Sequence, residues 1–83
     1  MGKTRWTGRQ QRLQELLRAV RNDASLTQRQ LAERLDKPQS YVSKYESGER
    51  RLDLVEIDDI CQACGVKLDE FVRRYSLGAQ PPR

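Results

Sequence analysis

Apolar residues in this chain recur three and four positions apart in five short runs, and no segment alternates at the period of two that a half-buried strand requires. Helices this short are unstable alone, so each must bury its apolar stripe against the others. Leu13, Leu16, Leu17 and Val20 form the first run, introduced by the capping pair Thr7 and Gln10 and ended near Asn22 by Asn22-Asp23-Ala24-Ser25. Thr27 with Gln30 repeats the capping signal ahead of Leu31, Ala32 and Leu35, and Asp36-Lys37-Pro38 stops that second helix. Pro38 then starts a third, because its missing N–H would have no partner in a first helical turn anyway, and Gly48 closes it after Ser47. Asp53 with Glu56 caps the fourth, whose Leu54, Ile57, Ile60, Cys61 and Cys64 read as one apolar stripe ending at Gly65. Leu68, Phe71, Val72 and Tyr75 define the fifth. The expected fold is all-α, a compact five-helix bundle.

The 83 residues leave room for one small domain. The layout predicted is a mobile basic N-terminal arm over residues 1–7, the folded domain over 8–76 and a disordered C-terminal tail over 77–83. Trp6 stands in the arm without an assigned role. Leu, Ile, Val and Phe make up 18 of the 83 residues, little more than the roughly 20% below which disorder is the default, so folding depends on efficient helix packing. No apolar run approaches the roughly 18 residues that cross a bilayer, and the basic start lacks the apolar segment of a signal peptide. A soluble, cytoplasmic protein with no membrane contact is expected. Two cysteines and no histidine exclude an ordinary four-ligand zinc site in one chain and remove the commonest general base. No enzymatic activity, cofactor or metal is expected.

The formal net charge of +4 is unevenly spread. Residues 1–51 hold 12 basic and 6 acidic side chains, whereas residues 52–83 hold 4 and 6. Basic charge gathered at one end is either a solvated surface or the footprint of a polyanionic partner. Of polyanions, nucleic acid fits better than membrane, because no strongly apolar helix face accompanies the charge.

The second and third helices are separated by about three residues, and the second carries a small residue, Ala32, in its middle. That is the layout of a helix-turn-helix. Leu31 and Val42 face the shared core, and Asp36 takes the turn position where a left-handed residue is wanted; Asp tolerates that conformation better than most residues.

The stretch LTQRQLAERLDKPQSYVSKYESGERRLDLVEIDDICQACGVKLDEF resembles the Cro and phage-repressor type helix-turn-helix family, also called the XRE family, with the likeness spanning roughly residues 12 to 72. It rests on the Thr-Gln start of the second helix, Leu31-Ala32, the run Val42-Ser43-Lys44-Tyr45-Glu46 with Gly48, and Gly65-Val66. The chain departs from the family pattern at Asp36, where glycine is usual, at Pro38 and Lys67, where serine often caps, and at Leu52, where proline often stands. The resemblance implies a lambda-repressor-like DNA-binding domain and a bacterial or phage transcriptional regulator, a repressor, associated with the nucleoid when bound.

The third helix sorts its residues into two faces. Val42 and Tyr45 point inward, while Gln39, Ser40, Ser43, Lys44 and Ser47 form a polar stripe with few of the long charged side chains of a merely solvated face. Gln pairs bidentately with adenine, Lys donates to guanine acceptors and Ser contacts either, so Gln39, Ser40, Ser43 and Lys44 are the predicted base readers in a DNA major groove. The predicted phosphate contacts are Gln28, Tyr41, Ser47, Arg50 and Arg51. By the resemblance, Gln28 sits over the DNA backbone and braces Gln39, Arg50 and Arg51 lie beside the same backbone, and Arg21 and Glu46 form a buried ion pair between the first and third helices. Lys3, Arg5 and Arg9 are candidates for an arm that follows a groove.

The partner predicted is double-stranded operator DNA of two-fold symmetry, bound by a homodimer, with Phe71, Val72, Tyr75 and Leu77 as the exposed apolar contacts between copies. The competing reading is a protein-interaction module or antitoxin whose main partner is another protein. A weaker one is a thiol switch at Cys61-Gln-Ala-Cys64, but both cysteines lie on the apolar stripe and no second pair exists, which favours core packing.

Overall fold

The computed structural model describes residues 8–79. They form five helices, α1 (Gly8–Asp23), α2 (Gln28–Leu35), α3 (Gln39–Ser47), α4 (Leu54–Cys64) and α5 (Leu68–Ala79). No strand occurs among the described residues. The predicted arm, with Lys3, Arg5, Trp6 and the capping residue Thr7, lies outside them. Arg9 does not belong to that arm: it is the second residue of α1, which a good helix former such as Arg extends rather than interrupts.

The turn chemistry sets the helix boundaries. Thr27 Oγ1 accepts from the Gln30 backbone N–H at 3.0 Å, and Gln30 Oε1 accepts in return from the Thr27 N–H at 2.9 Å. Asp53 and Glu56 make the same reciprocal box at 2.8 and 2.9 Å. Each box satisfies two N–H groups that a helix start would otherwise leave unpaired. Asp36 adopts the left-handed conformation (φ 59°) in the turn between α2 and α3, and its N–H returns to the Ala32 and Glu33 carbonyls. Pro38 stands one place earlier than expected, in the N-cap position of α3 with extended backbone, so Gln39 is the first helical residue. The restriction that proline imposes on its own φ suits either place. Gly48 ends α3 at φ 91°, and a Cβ there would meet the Gln14 amide nitrogen at 2.8 Å. The positive φ favours glycine here, whereas the Gln14 amide, at the end of a flexible side chain, could move aside.

The core takes side chains from all five helices: Leu17 and Val20, Leu31 and Ala32, Val42 and Tyr45, Ile60 and Cys61, and Phe71. α2 packs on α3 and α4, and α1 on α3 and α5. The small side chain of Ala32, itself buried, lets neighbouring backbones approach closely. Truncating Leu17 or Leu31 to Ala in such a core costs roughly 2–5 kcal/mol.

Three expectations change here. The apolar stripe of α4 is not uniformly buried, since Leu54 is 62% exposed; it opens the helix at the domain rim. α5 runs to Ala79, so residues 77–79 are helical and not part of a disordered tail, while 80–83 lie outside the described residues; Arg12 Nε donates to the Gly78 carbonyl, fastening the last turn to α1. Phe71 is buried rather than available to a second copy, whereas Val72 and Leu77 are exposed and Tyr75 is half-buried. Leu13, Leu54, Ile57, Phe71, Val72 and Tyr75 line an apolar groove of about 280 Å³.

Candidate nucleic-acid interface

α3 is held by one face and open on the other. Val42, Tyr45 and Glu46 are buried, while Gln39, Ser40, Lys44 and Ser47 are exposed and Ser43 is half-buried. Ser43 Oγ donates to the Ser40 carbonyl at 3.3 Å and Ser47 Oγ to the Lys44 carbonyl at 3.1 Å, so both hydroxyls fold back on their own helix. Their lone pairs remain acceptors. The groups with reach on this face are the Gln39 amide and the Lys44 ammonium. Gln39 is the first residue of the helix, at its exposed N-terminal end.

The anchor of that helix is Glu46, a carboxylate only 2% exposed. Arg21 of α1 donates from Nε to Glu46 Oε2 at 2.7 Å and from a terminal nitrogen to Oε1 at 3.0 Å. A third Arg21 nitrogen donates to the Leu26 carbonyl at 2.9 Å, fixing the turn before α2. Hydrogen bonding to Glu46 is the main cause that raises the Arg21 pKa. Gln28 of α2 donates its side-chain amide to Glu46 Oε1 at 3.0 Å, and Arg18 donates to the Glu46 carbonyl at 3.3 Å. The expected brace from Gln28 to Gln39 is therefore replaced by a bond to Glu46. A buried ionised carboxylate must be supplied with donors and outcompetes a neutral amide for them. The contribution of Arg18 was not read from the sequence, although its place three residues before Arg21 puts both on one side of α1.

The cations beyond α3 are not all loosely solvated. Arg50 donates to Glu56 Oε2 at 2.5 Å, and its guanidinium carbon lies 5.0 Å from the centroid of the Tyr41 ring. The Lys37 ammonium lies 5.4 Å from the same centroid. Tyr41 in turn meets Tyr45 edge to face at 5.6 Å. Tyr41 is thus half-buried among cations instead of projecting like the stripe residues, and burial is the main cause that raises its pKa. Arg51 is exposed beside Arg50. Glu56, whose other oxygen serves the α4 capping box, is a residue that sequence reasoning read only as a cap.

Both cysteines are free thiols, Cys61 buried and Cys64 half-buried. Burial pushes the Cys61 thiol up to about 11 and raises Cys64 as well, the opposite of what a reactive thiolate needs. Among the described residues no group of His, Cys, Asp and Glu could hold a metal ion, and no helix is long and apolar enough to cross a membrane.

A family model for the helix-turn-helix matches residues 17–71. Among solved structures the chain is similar to an XRE-family like protein from Pseudomonas syringae pv. tomato str. DC3000, at 40% identity and TM-score 0.80, covering 87% of this chain and 88% of that one. It is also similar in fold to the clp gene regulator ClgR from Corynebacterium glutamicum. One ClgR structure gives TM-score 0.78 at 22% identity over 93% of this chain and all of that one. A second gives 0.75 at 24% identity over 87% and 77%. Comparison with the curated proteins finds no match.

Proposed function

The chain belongs to the XRE-type helix-turn-helix family of DNA-binding regulators, and we propose that it represses transcription by reading a double-stranded operator with α3. The observation that carries this reading is the exposed polar stripe of α3, on a helix whose opposite face is locked into the core through Val42, Tyr45 and Glu46. A rigid helix with small and amide side chains outward fits the B-DNA major groove, and Gln39, Ser40, Ser43 and Lys44 are the base readers in this proposal. Gln28, Tyr41, Ser47, Arg50 and Arg51 flank them as phosphate contacts. Arg50 and Tyr41 act there as a cation–π pair. Repression requires only that the operator be occupied, and no second function has to be built into a domain this small.

The protein binds as a homodimer in this reading, because one recognition helix covers few base pairs and a two-fold operator offers a second half-site one helical turn away. Val72 and Leu77, 47% and 70% exposed, supply apolar contacts on α5. The deciding experiment is selection of bound duplexes from a random DNA pool, followed by titration of the winner at several salt concentrations. A two-fold consensus with affinity falling steeply with salt is expected. Flat affinity from low to physiological salt, with no enriched sequence, would shift the reading to a protein-binding module.

A further inference from the structure

Arg50, Tyr41 and Glu56 come from three different parts of the fold: the loop after α3, the first turn of α3 and the start of α4. The carboxylate of Glu56 is shared between two duties. One oxygen accepts from the Asp53 N–H in the capping box, and the other accepts from Arg50 at 2.5 Å. Because the cap fixes where the Glu56 side chain stands, it also fixes the end of the Arg50 side chain, whose guanidinium is laid 5.0 Å from the Tyr41 ring centroid. A guanidinium has five N–H donors, so those not directed at Glu56 or at the Tyr41 hydroxyl remain for another acceptor. Tyr41 stands three residues before Lys44 on α3, one turn away along the edge of the polar stripe, which sets this cation beside the stripe.

Two opposite consequences follow for an approaching phosphate. Glu56 carries negative charge and repels it. Glu56 also holds a long, rotamer-rich side chain in one place, and the ordering of such a chain is otherwise paid at the moment of binding. The side chain of Arg50 is 43% exposed even with this pairing, so the repulsion is screened by solvent and salt while the ordering is not.

We propose that Glu56 is a positioning residue for DNA binding, an acidic group that strengthens attachment to a polyanion by holding Arg50 on the Tyr41 ring for a phosphate contact. The proposal rests on the DNA-binding reading above. The test is Glu56→Gln, which keeps an oxygen for the Asp53 N–H and so preserves the cap, measured beside Arg50→Ala and the double variant. Binding to a short mixed-sequence duplex and to the selected operator is followed across salt concentrations, with thermal unfolding as the check on folding. Removing one negative charge by simple electrostatics strengthens binding. Positioning predicts the reverse, a weakening of roughly three- to tenfold, and no further weakening by Glu56→Gln once Arg50 is Ala. Binding by Glu56→Gln as tight as the parent or tighter overturns the proposal. Equal weakening with and without Arg50 also overturns it, since Glu56 would then act through the fold. If the unsubstituted protein lacks salt-dependent duplex binding, the underlying DNA reading fails, and that result is distinct from either.

Discussion

Arg21 and Glu46 meet in a two-pronged pair, 2.7 and 3.0 Å, that joins the last turns of α1 and α3 where the carboxylate is almost wholly buried. Through the same carboxylate Gln28 ties in the start of α2, so three helices are oriented around one anion. Packing alone sets helix crossing angles with considerable scatter. A bidentate pair adds directional specificity, and here it is applied to the helix that carries the polar stripe.

Removing one partner should cost far more than removing both. Arg21→Ala leaves Glu46 buried with only Gln28 and the more distant Arg18, 3.8 Å away, as compensation. A loss of roughly 3 kcal/mol is expected. The paired replacement Arg21→Met with Glu46→Leu should recover most of it, since two apolar groups avoid the desolvation cost. Urea unfolding of the two variants beside the parent measures this, and Arg21→Ala as stable as the parent would show that the pair contributes nothing net.

Tyr45 offers the opposite case. Its ring is buried against Tyr41, but its hydroxyl has no hydrogen-bond partner among the described residues. Burial raises its pKa far above the usual tyrosine range. Tyr45→Phe keeps the ring contact and deletes the unsatisfied group, so stability should hold or rise by about 1 kcal/mol. A clear drop on thermal unfolding would mean that the hydroxyl is satisfied in solution.

Alkaline pH should weaken the fold through Cys61. Its folded pKa is pushed up to about 11 from an ordinary value near 9, so the unfolded chain releases this proton first. Stability from this group is complete below about pH 9 and declines as pH rises toward 11. Cys61→Ala should flatten that part of the profile while costing some packing. The same burial predicts slow reaction of the native Cys61 thiol with a thiol reagent at neutral pH and fast reaction after unfolding.

Much of this fold is legible in the sequence because short-range chemistry carries it. The boxes Thr27/Gln30 and Asp53/Glu56, the left-handed Asp36 and the closing Gly48 each act within a few residues, and each stands in the structure as the local pattern implies. What the pattern misses depends on contacts between distant segments. Periodicity marks Leu54 as apolar but does not say that α4 begins at the rim, and it cannot show that Arg12 reaches the Gly78 carbonyl of α5. In the candidate interface, the two faces of α3 follow from spacing. The redirection of Gln28 to Glu46 and the capture of Arg50 by Glu56 do not, because both depend on which acceptor another helix brings near.

The division of labour within the interface gives the most direct test of the DNA reading. Gln39 and Lys44 are exposed on α3 with side chains long enough to reach base edges, whereas Val42 between them is fully buried. Gln39→Ala should remove a bidentate contact worth roughly 1–3 kcal/mol and relax preference at one base pair, with affinity for unrelated duplex nearly unchanged. Lys44→Ala should likewise alter base preference, together with a modest loss from its charge. Val42→Ala serves as the comparison, because a cavity in the core lowers binding to every duplex by reducing the folded fraction and leaves the ranking of sequences intact. Folded Gln39→Ala and Lys44→Ala proteins with full affinity and an unchanged consensus would show that α3 is not the reading element, and the exposed apolar groups of α4 and α5 would then mark the functional face.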